Sequence, residues 1–195
     1  MRRTTSVCIA VLLAAPLLLS LAGCTGSDAQ VDSSGGQGFV AGDGSAQVID
    51  SADREAAPDL VGTTLNGDDL ALSGFAGDVV VLNLWASWCG PCRAEAPALQ
   101  QVYTDSRKMG VEFLGINSRD QEAAAAAFEK NFGITYPSLV DESGELQLAF
   151  HDSVPASSIP WTLVIDRDGL IAARVVGPTT YSQLSDLVDE VVAER

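Results

Sequence analysis

Two cysteines separated only by Gly and Pro, Cys89 and Cys92, stand in the stretch WASWCGPCRAEAP at residues 85–97. Thiols at that spacing can pass electrons as a disulfide/dithiol couple, supply half of a metal site, or staple a fold. The chain of 195 residues has only two other cysteines, Cys8 and Cys24. What becomes of those two narrows the choice.

Cys8 lies in a segment with the features of an export signal: the basic start Met1-Arg2-Arg3, a nearly unbroken apolar run from Val7 to Ala22, then small residues. About 16 apolar residues fall short of the roughly 20 that span a bilayer as a helix, so processing is expected. The end of the run, Leu21-Ala22-Gly23-Cys24, resembles the lipobox of bacterial lipoproteins at all four positions. That resemblance implies cleavage after Gly23, diacylglycerol on the Cys24 sulfur and acylation of its new amino group; an ordinary secretory signal and an uncleaved anchor are the competing readings. Several acyl chains anchor far more firmly than one, since each buried CH2 adds roughly 0.8 kcal/mol. With Cys8 removed and Cys24 blocked by lipid, Cys89 and Cys92 are the only thiols left. No structural disulfide framework exists in such a chain apart from that pair.

Charge bounds the partners. The chain carries 11 basic and 26 acidic residues. Loss of Arg2 and Arg3 with the leader leaves nine against 26, a net charge of −17. Nucleic acid and anionic lipid both need a basic footprint and are disfavoured. Membrane residence must then come from the lipid anchor, and the charge serves to keep an exported domain soluble.

The elements that position the pair follow from the apolar pattern. Residues 24–57 are rich in Gly, Ser, Asp and Ala and read as a tether, with a short hairpin expected over 38–49 around Gly42-Asp43-Gly44. Residues 58–195 suffice for one compact domain. Val61 to Leu65, the turn Asn66-Gly67-Asp68, and Asp69 to Leu72 read as a hairpin. Val79 to Ala86 is continuously apolar and rich in β-branched residues, as suits a central strand buried on both faces. Helices are expected over 93–109, 120–132 with Asp120 as its cap, 144–151 and 181–194; further strands over 111–116, 136–141, 162–166 and 170–176. Strands separated by helices predict an α/β fold with a mixed central sheet, the last pair forming an antiparallel edge.

This order puts Cys89 just past the end of a central strand and Cys92 in the first turn of the next helix. Free N–H groups and the positive end of the helix dipole stabilise a thiolate there. A thiolate attacks a disulfide to form a mixed disulfide, and a second cysteine one turn away resolves it. Gly90 permits the tight turn, and Pro91 suits the first helical turn, where its missing N–H is no loss.

With its residues so placed, the stretch resembles the thioredoxin superfamily, in particular the membrane-tethered TlpA/ResA-like branch. The resemblance rests on Trp88-Cys89-Gly90-Pro91-Cys92, preceded by Trp85-Ala86-Ser87, and on Pro97, where members carry a proline that kinks the active-site helix. Ala57-Pro58-Asp59-Leu60, the N-terminal β-hairpin and an inserted helix-strand unit over 120–141 fit the branch's additions. It implies that Cys89 is the nucleophile and Cys92 the resolving thiol, with Trp88, Gly90 and Pro91 beside the substrate. It also implies a cis-proline next to the pair, matched by Ile159-Pro160 in preference to Pro155, with Ile159 offering its backbone to an extended substrate and the proline ring helping to exclude metal. Trp161 stands where members usually have threonine, and either reshapes the substrate groove or covers surface. Thioredoxin's buried acid is replaced by Asn83; Glu95, one turn beyond Cys92, is a candidate proton acceptor against the alternative of a solvated helix residue.

Rival chemistries fare less well. Zinc needs four ligands, and this domain offers two thiols and His151, some sixty residues downstream and better read as a polar helix-end residue. A peroxidase reading has only the CxxC pair to stand on. Copper(I) carriage suits a soft dithiolate, though Met-rich or His-rich motifs are lacking. The expectation is an extracytoplasmic, lipid-anchored thiol-disulfide oxidoreductase without cofactor. The resemblance implies a reductant of apocytochrome c cysteines, recharged by a membrane thiol carrier of the CcdA type; an oxidant of secreted protein thiols and a Cu(I) carrier are the alternatives.

Overall fold

The structure, a computed structural model, describes residues 41–194. A six-stranded sheet runs in the order β1-β8-β7-β4-β5-β6. Its centre is β4 (Val79–Trp85), paired in parallel with β5 (Val111–Ser118) and antiparallel with β7 (Trp161–Ile165). β6 (Ser138–Asp141) extends the parallel half, while β8 (Ile171–Val176) and β1 (Ser45–Val48) extend the antiparallel half. The helices are α1 (Gly90–Ser106), α2 (Glu122–Phe132), α3 (Glu145–Leu148) and α4 (Tyr181–Ala193). A separate two-stranded hairpin, β2 (Val61–Thr63) with β3 (Asp69–Ala71), turns through Gly67, whose positive φ the turn requires.

All seven residues of β4 are buried, as expected of a strand covered on both faces. Val79 and Val81 face one core, with Leu99 and Val102 of α1 and Leu184, Leu187, Val188 and Val191 of α4. Val80, Leu82 and Leu84 face the other, with Ala125 and Phe128 of α2, Phe150 and Trp161. The sheet is therefore a wall between two apolar layers, and the end of β4 opens at its rim.

The expected mixed sheet, the hairpin over 61–72 and the helix-strand unit over 120–141, which is α2 and β6, are all present. Three local expectations are corrected. Residues 45–57, assigned to the tether, belong to the domain: β1 pairs with β8, Ala56 bridges Leu170, and the Ile171 N–H donates to the Glu55 carbonyl. The hairpin over 38–49 is not what β1 forms, since its partner is β8; residues 38–40 lie outside the described residues. The final strand pair is not the edge, because β1 caps it. The physical reason is shared: the exposed β1 needs no apolar alternation, since it is held by ladder hydrogen bonds to an edge that would otherwise be bare. The leader and Cys24 also lie outside the described residues.

Among the described residues no helix is long and apolar enough to cross a membrane.

Candidate active site

β4 ends at Trp85, and a four-residue connection leads to α1, whose N-cap is Cys89. Cys89 and Cys92 form a disulfide of 2.04 Å with Cα atoms 5.3 Å apart. The Cys89 sulfur also accepts from the Cys92 backbone N–H at 3.2 Å, the bond that Ser, Asp or Asn usually accept at a helix start. The same donor and the dipole of a 17-residue helix would hold negative charge on Cys89 once the disulfide opens. Both cysteines are only 1% exposed. α1 starts earlier than the expected 93, with Gly90 and Pro91 as its first two residues; Pro91 is in the first turn as expected, and Pro97 lies inside α1.

The Ile159-Pro160 peptide is cis. β7 begins immediately after it, and Trp161 pairs with Leu84 at the end of β4, so the cis-proline flanks the connection that carries Cys89. Its carbonyl accepts from the Gly177 N–H at 2.9 Å, which ties this loop to the end of β8. Ile159 is buried in the same apolar cluster as the disulfide. Trp161 departs from expectation: its side chain is 1% exposed and packs on Phe150 at a centroid distance of 5.6 Å. It neither covers surface nor offers its ring to a substrate, because the alternation of β7 turns it into the core. Trp88 keeps a partly exposed ring, and its indole N–H donates to the Arg119 carbonyl at 3.1 Å.

Beneath the disulfide lies a polar network that contradicts the solvated reading of Glu95. Its carboxyl group is 1% exposed, accepts from the Asn83 side-chain amide at 3.0 Å and from the Thr179 N–H at 2.9 Å, and burial pushes its pKa up to about 8. The two hydrogen bonds act the other way, favouring the charged form, but do not offset the desolvation. Asn83 also donates to the Trp161 carbonyl and the Thr162 hydroxyl, while its own amide oxygen has no partner. The spacing of Cys92 and Glu95, three apart on one helix, already signals a shared face. Thr179, 84 residues away in sequence, carries no such signal.

Asp120 was expected to cap α2. Instead Gln121 is the cap residue, without a side-chain bond, and the Asp120 carboxylate reaches across to Ser87. His151 is exposed behind α3, against the Leu148 carbonyl, as a helix-end residue should be. Clefts of about 300 Å³ and 870 Å³ open around Asp166 to Gly169, at the opposite end of the sheet from the disulfide.

A thioredoxin-like sheet with a CGPC disulfide at the strand-helix junction and a cis-proline beside it defines a thiol-disulfide oxidoreductase. The AhpC/TSA family model matches residues 54–174, and the chain belongs to that family. It is similar to the thiol-disulfide oxidoreductase ResA of Geobacillus kaustophilus, 30% identical over 135 residues, 69% of this chain and 75% of the relative. ResA of Bacillus subtilis is 30% identical over 133 residues, 68% and 72% of the two chains. Among solved structures, a secreted thiol-disulfide isomerase from Corynebacterium glutamicum superposes with TM-score 0.72 at 36% identity, covering 80% of this chain and 97% of the other. A DsbF homologue from Corynebacterium diphtheriae gives 0.71 at 33% identity, covering 76% and 94%.

Proposed function

We propose that the protein is an extracytoplasmic, lipid-anchored reductant that keeps the haem-binding cysteines of apocytochrome c reduced and is recharged by a membrane thiol carrier of the CcdA type. The observation that carries the exchange chemistry is the Cys89–Cys92 disulfide at a helix N-terminus. In this reading the reduced protein attacks a substrate disulfide through the Cys89 thiolate. The new bond joins Cys89 to one substrate sulfur, and the other substrate sulfur leaves as a thiolate. Cys92 then attacks Cys89, restoring the disulfide and releasing the reduced substrate. Glu95, one turn below, takes the Cys92 proton. Ile159 and Pro160 bind the substrate backbone; Trp88, Gly90 and Pro91 border it.

Likeness to the ResA proteins supports the reductant. Anchoring at Cys24 rests on the lipobox-like Leu21-Ala22-Gly23-Cys24. A second reading is oxidation of secreted protein thiols; the likeness to a secreted thiol-disulfide isomerase supports secreted proteins as the substrates. A redox titration against glutathione separates them. The reductant requires a potential near the thioredoxin value of about −270 mV, whereas strong oxidants lie near about −120 mV.

A further inference from the structure

The connection that carries Trp88 and Cys89 is gripped from a different part of the chain. Asp120, between β5 and α2, accepts from the Ser87 N–H at 2.6 Å, the Ser87 hydroxyl at 2.7 Å, the Asn117 side-chain amide at 3.0 Å and the Gln121 N–H at 2.8 Å. The last polar group of Ser87, its carbonyl, accepts from Arg93 at 3.3 Å. One residue on, the Trp88 indole donates to the Arg119 carbonyl at 3.1 Å. Arg119 has φ 48, an uncommon backbone for a residue with a side chain, and its N–H is tied to the Asp141 carbonyl at 2.9 Å. Every polar group of Ser87 is thus committed, mostly to one carboxylate.

Hydrogen bonds to an ionised acceptor are about twice as strong as neutral ones. A carboxylate that only had to cap α2 would spend this capacity on α2; here two of its four bonds go to the residue two places before Cys89. Disulfide exchange is sensitive to such placement, because the attacking sulfur must approach Cys89 nearly in line with the bond to Cys92 as the new sulfur–sulfur bond forms and the Cys92 thiolate leaves.

We propose that Asp120 is a positioning residue of the redox site: acting through Ser87, and with the adjoining Arg119 carbonyl through Trp88, its carboxylate holds Cys89 in the orientation that exchange requires. The inference rests on the reading of Cys89 as the reactive sulfur. It has an electrostatic corollary, since a carboxylate bonded to the residue two places before Cys89 opposes a second negative charge on that loop, and its removal eases formation of the thiolate.

The test compares the full chain with Asp120→Asn and Ser87→Ala. Three quantities are read: the rate at which dithiothreitol reduces the disulfide, the pH profile of Cys89 alkylation by iodoacetamide in the reduced protein, and the Trp88 indole N–H resonance. Asp120→Asn keeps the shape but replaces one oxygen by an NH2, which leaves a donor facing the backbone N–H of either Ser87 or Gln121. We expect it to slow reduction by about 10- to 100-fold, the scale of a misplacement of roughly 1 Å, to move the alkylation midpoint to lower pH and to shift the Trp88 resonance. Ser87→Ala, which removes one of the four bonds, should slow reduction several-fold without moving the midpoint. A lowered melting temperature in Asp120→Asn with rate, profile and resonance unchanged overturns the proposal. If Asp120→Asn does not fold, a reduction rate in Ser87→Ala equal to that of the unaltered chain overturns it. Mass mapping of the alkylated residue keeps the two readings apart: labelling of Cys92 ahead of Cys89 in the unaltered chain defeats the assignment of the reactive sulfur, not the grip of Asp120 on its loop.

Discussion

At the scale of single residues, Glu95 shows how burial converts an ordinary helix position into a chemical one. Its pKa, pushed up to about 8 from 4.5 by desolvation, means that the folded protein holds this proton more tightly than the unfolded chain. The stabilisation is complete below about pH 4.5 and is lost as pH rises through about 8. The oxidised protein should therefore melt at progressively lower temperature between pH 5 and 9, and Glu95→Gln should flatten that part of the curve; equal slopes in thermal scans of the two proteins would remove the buried ionisation. The same variant tests the proton-acceptor role, because full exchange rate at neutral pH in Glu95→Gln would leave Glu95 no part in it. The roles of the cysteines are tested by Cys92→Ser, which should accumulate mixed disulfides on Cys89 in cells. Recovery of no trapped thiol protein on non-reducing gels would count heavily against exchange with proteins.

At the scale of elements, the active-site strand is aligned by an interlock with its neighbours. The Trp85 indole donates to the Ser138 hydroxyl at 3.2 Å, which donates to Glu129 at 2.8 Å, joining β4, β6 and α2. Trp85 stacks on Phe128 with ring centroids 4.4 Å apart. Gly115 on β5 makes room for this. A Cβ there would meet the Ser138 hydroxyl and lie 2.7 Å from the Trp85 indole nitrogen, and neither group can withdraw from a packed sheet. Gly115→Ala should cost about 1–3 kcal/mol, the usual penalty of overpacking, readable as a lower urea midpoint with unchanged slope. A midpoint identical to that of the unaltered chain would show that the interlock yields freely.

At the scale of the described molecule, residues 45–57 are part of the fold. Arg54, with a side chain only 5% exposed, bonds the Ile49 carbonyl, pairs with Asp166 at the β7–β8 turn and reaches Glu194 at the end of α4. Removing one partner of a buried pair strands the other, although the half-exposed Glu194 retains solvent and moderates the loss. Arg54→Ala should cost about 1–3 kcal/mol, the scale of a buried acceptor left unsatisfied. A chain begun at residue 58, which lacks both Arg54 and β1, should be less stable than one begun at residue 41. Equal thermal midpoints for the two truncations would mean that β1 adds nothing to the domain. Anchoring is checked separately: Cys24→Ser should move the protein from the membrane fraction to the soluble one.

The reactive pair, its place at a strand end and helix start and the order of helices and strands were legible in the sequence, because each rests on local chemistry or on the period of apolar residues; the cis-proline at Pro160 was implied by the family resemblance, with the strand that follows it deciding against Pro155. The environment of the pair was not legible. Glu95 read better as a solvated helix residue until the fold brought Asn83 and Thr179 against it; Asp120 read as a helix cap until β5 and β4 lay side by side; Trp161 read as a groove or surface residue until the strand turned it inward; and β1 read as part of the tether or of a local hairpin because four exposed residues without apolar alternation do not reveal a distant ladder partner. Sequence patterns report which faces must leave water. Only the tertiary structure decides which polar groups, distant along the chain, leave water together.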